Sequence, residues 1–166
     1  MTTSTAKRFT YSCFLTIEAP ADMVFPLLCP VREYEWIDGW ECRVVYSRTG
    51  LAEENGVFTT DFPGEGPTVW VTAHHDPSAR RVSYIRVTPE VKVLRMDLQV
   101  DDAPGGHSRW RIVYTVTALG EGGNELIDRL SATNGGELAA RAGLLGCMLN
   151  HFLKTGRMLK KEDWPR

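Results

Sequence analysis

The sequence predicts an α+β fold in which a seven-stranded antiparallel sheet curls around a long C-terminal helix, with two short helices after the first strand. Three observations carry this. Residues Phe9, Tyr11, Cys13, Leu15 and Ile17 alternate with Thr10, Ser12, Phe14 and Thr16, which is strand periodicity. Six further strand-like segments then follow one another through closely spaced turn signals. Finally, the tail changes to a three- and four-residue apolar step, the period of a helix.

Each element has a local reason. After the first strand, Pro20 suits a first helical turn, and Met23, Val24, Leu27 and Leu28 give a short apolar face before Pro26 and Pro30 limit it. Val31 to Ile37 reads as a second short helix closed by Asp38-Gly39. The serial strands are expected at Cys42–Ser47, Val57–Phe62, Thr68–His75, Arg81–Thr88, Val91–Val100 and Arg109–Ala118. Short connections between them imply antiparallel neighbours, because parallel ones need long crossovers. Asn124–Ala132 is expected as a short helix and Glu137 to Lys161 as the long one. The long helix would carry the stripe Leu138, Ala142, Leu145, Met148, Leu149, Phe152 and Leu159, with Arg157, Lys160 and Lys161 suiting its C-terminal dipole.

At 166 residues, 43% hydrophobic and 24% charged, residues 1–166 fit one domain with a real core. The net charge of −2, with no basic run beyond Lys160-Lys161, argues against nucleic acid or an anionic membrane surface as partner. The first residues do not form a signal peptide and no apolar run approaches a membrane span, so a cytoplasmic protein with reduced Cys13, Cys29, Cys42 and Cys147 is expected.

Ile17-Glu18-Ala19-Pro20-Ala21-Asp22-Met23-Val24-Phe25, at the first strand-to-helix junction, and Leu149-Asn150-His151-Phe152-Leu153, in the last helix, carry a resemblance. With this order of elements, nearly the whole chain resembles the SRPBCC superfamily. That superfamily is the helix-grip fold of START lipid-transfer domains, birch-pollen-type allergens and polyketide cyclase/dehydrase-like proteins. The resemblance implies a cavity between sheet and helix that takes small apolar molecules, and no particular reaction. The expected ligand-binding residues are Trp70, Tyr84, Arg86, Met96, Trp110 and Tyr114 on strands and Leu145, Met148 and Phe152 on the helix. The alternative is that these side chains simply fill a core.

The stretch Cys29 to Cys42 raises the question of chemistry. Cys29 and Cys42 stand too far apart in sequence for a close zinc-ligand pair, and adjacent His74 and His75 point to opposite faces of a strand, so no metal is expected. Glu33, Glu35, Asp38 and Glu41 read as a solvated helix face, and Tyr34, Trp36 and Trp40 as rings packed inward. The stretch is therefore expected to be a rim closing one end of the grip; a dimer contact is the other reading. A nucleophilic Cys42 beside His74 or His75 is weighed against a buried structural thiol, and His151 is placed beside the helix stripe, at the edge of the cavity or in a packed interface.

Arg86 is the most informative polar residue. On its strand either Val82, Tyr84, Arg86 and Thr88 or Arg81, Ser83, Ile85 and Val87 face inward, and alternation does not choose. The resemblance favours the first set. Arg86 would then need an anion, supplied by Asp61, Asp97 or a ligand; in the second set it would snorkel at the surface.

The reading is a domain that binds a small, mostly apolar molecule, lipid-, aromatic- or polyketide-like, with a polar or acidic end, and calls for no cofactor. Two alternatives stand beside it. One is a cyclase- or dehydrase-like enzyme using an acid–base pair among Asp61, Asp97, Tyr84 and His151. The other is a non-catalytic protein-interaction module, and a homodimer is compatible with all three.

Overall fold

The computed structural model describes residues 5–165. Seven strands, β1 (Arg8–Ile17), β2 (Arg43–Tyr46), β3 (Val57–Phe62), β4 (Gly66–Asp76), β5 (Arg81–Thr88), β6 (Lys92–Ala103) and β7 (His107–Ala118), form one open sheet in the order β1-β7-β6-β5-β4-β3-β2. Every pairing is antiparallel. The meander from β2 to β7 follows from the short turns, and β1 closes the sheet on the far side of β7. The three helices are α1 (Ala21–Val24), α2 (Glu121–Ala132) and α3 (Gly136–Thr155). Single 3-10 turns at Phe25–Leu28 and Glu33–Glu35 extend the segment after β1. No helix among the described residues is long and apolar enough to cross a membrane.

Two helix boundaries differ from the sequence expectation. The long helix stops at Thr155 rather than Lys161, because Gly156 adopts a left-handed φ of 67° and returns its N–H to the Phe152 carbonyl. Leu159 therefore leaves the helical stripe and bridges to Ile37, while Lys160 and Lys161 bind the Asp38 carboxylate at 3.1 and 3.0 Å through Nζ and the backbone N–H. Of the expected basic residues, none lies in the last helical turn; Lys154 does. At the other boundary, α2 takes up Glu121-Gly122-Gly123, ahead of the expected start at Asn124. A Cβ on Gly123 would sit 2.0 Å from the Val91 carbonyl, so the helix start approaches the β5–β6 turn more closely than any side chain allows.

The core lies between the concave face of the sheet and the helices. Asn150 fixes α3 on β1: its Oδ1 accepts from the Glu18 N–H and its Nδ2 donates to the Thr16 carbonyl. Gly146 on α3 lets the Leu15 side chain approach the helix backbone. Arg80 reaches both Asp22 and Asp102, tying α1 to the end of β6. Ala142, Met148 and Leu149 are buried, whereas Leu138, Leu145 and Phe152 are half-buried against the core.

The α2–α3 corner depends on Gly135, whose φ is 76° and whose missing Cβ leaves room for the Tyr11 ring. Gly135→Ala should lower the unfolding free energy by about 2 kcal/mol or more, from the left-handed penalty plus overpacking. Denaturant unfolding checks this; an unchanged midpoint would contradict it.

Candidate ligand-binding site

Strand register decides which side chains meet on the concave face. Thr72, Tyr84, Met96, Tyr114 and Tyr11 are successive cross-strand partners and form one row. The next row is Phe58, Trp70, Arg86, Leu94, Val116 and Phe9. Because these rows lie on the buried side, the first of the two faces considered for β5 is the inward one: Val82, Tyr84, Arg86 and Thr88 are all buried.

Arg86 is 3% exposed and its guanidinium lies 4.9 Å from the centroid of Trp70. Trp70 is held in turn by a 2.9 Å bond from Nε1 to Thr60 and by stacking on Phe58. A cation placed on an aromatic floor is attracted to the ring face but has lost its water. Its counter-ion is neither expected carboxylate. Asp61 is exposed, and Asp97 points to the outer face, where it binds Ser83 at 2.5 Å and Arg95. The partner is Glu65, at the tip of the β3–β4 hairpin, which folds back so that Oε2 meets Arg86 Nη2. Oε1 of Glu65 stands 3.9 Å from Lys92 Nζ and 3.6 Å from Arg141 Nη2.

The cluster therefore holds three cationic side chains and one carboxylate. Burial, and then repulsion from Arg141, brings Arg86 down to about 10. Burial, followed by repulsion from Arg86, Arg141 and Arg129, brings Lys92 down to about 8. Near neutral pH both are still charged, and the cluster carries an excess of positive charge. Among the described residues, Arg86 Nε is a buried donor without a protein partner, as are the hydroxyls of Thr88 and Ser108 and the indole N–H of Trp110. Alternation alone could have found Lys92, which shares the parity of Leu94 and Met96. No periodic signal announces a hairpin tip folding inward.

Two of the three rings of the Cys29–Cys42 stretch pack inward as expected. Trp36 is fully buried and donates to the Leu27 carbonyl, and Trp40 donates to the Pro30 carbonyl and packs on Phe62 with centroids 5.5 Å apart. Tyr34 departs from the expectation: its ring is exposed, because the hydroxyl is engaged outside by the Cys42 backbone, to which it donates and from which it accepts. Glu33 is the larger correction. Glu35 faces solvent with Arg32, but the carboxyl of Glu33 turns inward beside Tyr84 and Cys42, and burial pushes it up to about 8. The 3-10 turn covers only Glu33–Glu35 and rotates by about a third of a turn per residue, so Glu33 and Glu35, two apart, face different sides.

The other sequence candidates separate. Trp110 is buried two residues from Ile112 on the same inward face, and Met148 is buried in the core, while Met96, Leu145 and Phe152 are half-buried. Tyr84 donates to the Leu28 carbonyl at 3.0 Å, and burial raises both Tyr84 and Tyr114, so neither phenol is an anion. Cys29 accepts from the Ala52 N–H and Cys42 leans on the Pro30 carbonyl. Burial holds the Cys42 thiol above its usual value, which removes the thiolate that a nucleophile needs. His75 stacks on Phe25 inside while its neighbour His74 faces Glu54 outside. Among the described residues, no three His, Cys, Asp or Glu side chains gather as a metal site. His151 is half-buried on α3.

Two depressions are open to solvent. One of about 240 Å³ lies on the outer face among His74, Arg81, Ser83, Asp97, Gln99 and Arg111. The other, about 20 Å³, lies between Pro30 and strands β2 and β3, and is of the size of one water. Neither is lined by a residue of α3, and on the inner face Trp70, Tyr84, Trp110, Tyr114 and Met148 are packed in the core.

No protein-family model matches the chain, and no curated protein does either. Solved structures do match. An aromatase/cyclase from a Streptomyces species superposes with a TM-score of 0.65 at 13% identity, over 92% of this chain and 100% of that one. An uncharacterised protein from Rhizobium leguminosarum gives 0.62 at 18%, over 90% and 97%. Norcoclaurine synthase from Thalictrum flavum, in complex with dopamine and hydroxybenzaldehyde, gives 0.61 at 12%, over 87% of each chain. At these identities the likeness is one of fold: an antiparallel sheet with a long C-terminal helix, the helix-grip arrangement.

The inward Glu33 has a consequence for stability. Its folded value of about 8 lies above the ~4.3 of a free glutamate, so between these two the folded state keeps a proton that the unfolded chain has lost. Stability contributed by the neutral form is present at low pH and falls as pH rises through this window. Glu33→Gln should match the parent near about pH 4 and exceed it near about pH 8 by roughly 1–4 kcal/mol. Thermal or denaturant unfolding at the two pH values checks this, and parallel pH curves would contradict it.

Proposed function

We propose that the protein binds a small, mostly apolar molecule with an acidic end on the concave face between the sheet and α3. One observation carries this reading: a buried arginine, with Lys92 and Arg141 nearby, stands at the end of an aromatic-lined surface and outnumbers its carboxylate. Trp70, Tyr84, Tyr114 and Trp110 supply the apolar wall, and Met96 with Leu145, Met148 and Phe152 of α3 the adaptable side. Likeness in fold to an aromatase/cyclase and to a synthase bound to two small aromatic molecules supports a ligand of that size.

A second reading, a cyclase-like enzyme, is favoured by Glu33. A neutral carboxyl facing an interior with few polar partners can give a proton to a carbonyl oxygen and take one back from carbon. This replaces the acid–base pairs expected from Asp61 and Asp97, which lie outside.

The binding reading is tested with decanoate and decanol, which share a chain and differ in charge. Arg86→Leu keeps apolar bulk and removes the donor, so decanoate affinity by calorimetry should fall about ten- to a hundredfold while decanol is held as well or better. Equal losses for both, or none for either, would end this reading. For the enzyme reading, the protein should accelerate deuterium uptake beside the carbonyl of phenylacetone, and Glu33→Gln should lose the acceleration. Equal rates in both proteins would remove Glu33 from any catalytic role.

A further inference from the structure

The geometry around Arg86 points to a competitor built into the chain. Two other arginines of the molecule meet a carboxylate through the edge formed by Nε and Nη2. Arg32 binds Glu35 with Nε to Oε1 at 2.8 Å and Nη2 to Oε2 at 3.1 Å, and Arg95 offers the same two atoms to Asp97. Arg86 presents this edge inward, but only Nη2 is taken, by Glu65; Nε is buried and without a protein partner. Half of a two-point carboxylate site is thus in use. The remaining oxygen of Glu65 is drawn toward Lys92 and Arg141 instead.

The side chain that fills this half-site belongs to a segment able to leave it. The hairpin tip Pro63-Gly64-Glu65-Gly66 has glycines at φ values of 84° and 71°, and nothing lies within 4 Å of where a Cβ would stand on either. Its regular pairing ends at Phe62 and Gly66. From there Phe62 packs on Trp40, and Glu65 reaches Arg141 on α3. The Glu65 carboxylate therefore ties the hairpin tip to α3 and to the sheet at once.

Resting on the binding reading above, we propose that Arg86, Lys92 and Arg141 form a carboxylate site that Glu65 occupies as an internal stand-in. An incoming carboxylate takes the Nε/Nη2 edge of Arg86 in its place, and the hairpin is released from α3. The site favours a monocarboxylate, since planar two-point geometry matches that edge and Lys92 with Arg141 supply the remaining charge. Affinity is set by a contest between two carboxylates, so the resting protein binds acids more weakly than its cations alone would.

The test is Glu65→Gln, which keeps the side chain's length and removes its charge. Decanoate affinity should rise by about tenfold or more, while decanol changes by less than about twofold, as removal of a charged competitor requires. Should Glu65→Gln fail to fold, Glu65→Asp shortens the reach while keeping the charge, and decanoate affinity should rise by a smaller factor. Unchanged or weaker decanoate binding in the folded variant overturns the proposal and makes Arg86–Glu65 a structural ion pair. If decanoate binds the parent protein with the dependence on Arg86 given above but is indifferent to Glu65, only this inference fails. If decanoate binds neither protein saturably, the underlying binding reading fails with it.

Discussion

A guanidinium set on an indole inside a sheet must be answered by an anion, and the arrangement of this end of the molecule depends on that requirement. Taking Arg86 out of water costs several kcal/mol unless charge and hydrogen bonds return. Trp70 offers its ring face, and the β3–β4 hairpin brings Glu65 back over the edge of the sheet to supply the charge. Lys92, on the next strand, and Arg141, on α3, then crowd the same carboxylate. A single acid cannot neutralise three bases, and two of them have lost part of their basicity to burial and mutual repulsion. Such an imbalance would be a poor way to stabilise a fold. It is a good way to attract an acid.

The opposite polarity appears at the rim. Glu33 is half-buried beside Tyr84, whose hydroxyl is already given to the Leu28 carbonyl, and burial is what raises its pKa. The carboxyl stays neutral well above the pH at which an exposed glutamate ionises. One concave face therefore presents a cationic corner and a protonated acid, separated by Phe58, Trp70 and Tyr84, which pack edge to face and stacked on one another. The solved structures that match share the fold at identities of 12 to 18%.

Alternation and turn chemistry made the sheet legible, because each strand has one apolar side and each connection carries Gly, Pro, Asn or Asp. The limits of reading appear where long-range contact decides. Gly156 ends α3 although the apolar step continues to Leu159, since a left-handed cap outweighs propensity. Gly122 and Gly123 precede the expected helix start at Asn124, yet both lie in α2, and Gly123 packs closely on Val91. The inward face of β5 needed the resemblance to choose it, for an arginine and a tyrosine against an isoleucine and a valine mislead a count of apolar residues. Asp61 and Asp97 were reasonable partners by strand position, but pleat parity places both away from Arg86. Glu65 escaped altogether and Glu33 was placed on the solvated face, because a hairpin tip and a single 3-10 turn have no period from which a direction can be read.

The central claim is that the Nε/Nη2 edge of Arg86 receives a ligand's acidic end. The proton–nitrogen correlation spectrum of the arginine Nε–H groups reads that edge directly, with Arg86 assigned by its loss in Arg86→Leu. On adding decanoate, the Arg86 Nε–H signal should move downfield in proton shift and exchange more slowly with water, as a buried donor does when it gains a charged acceptor; decanol should leave it in place. A signal that responds to neither compound, or equally to both, would contradict the account.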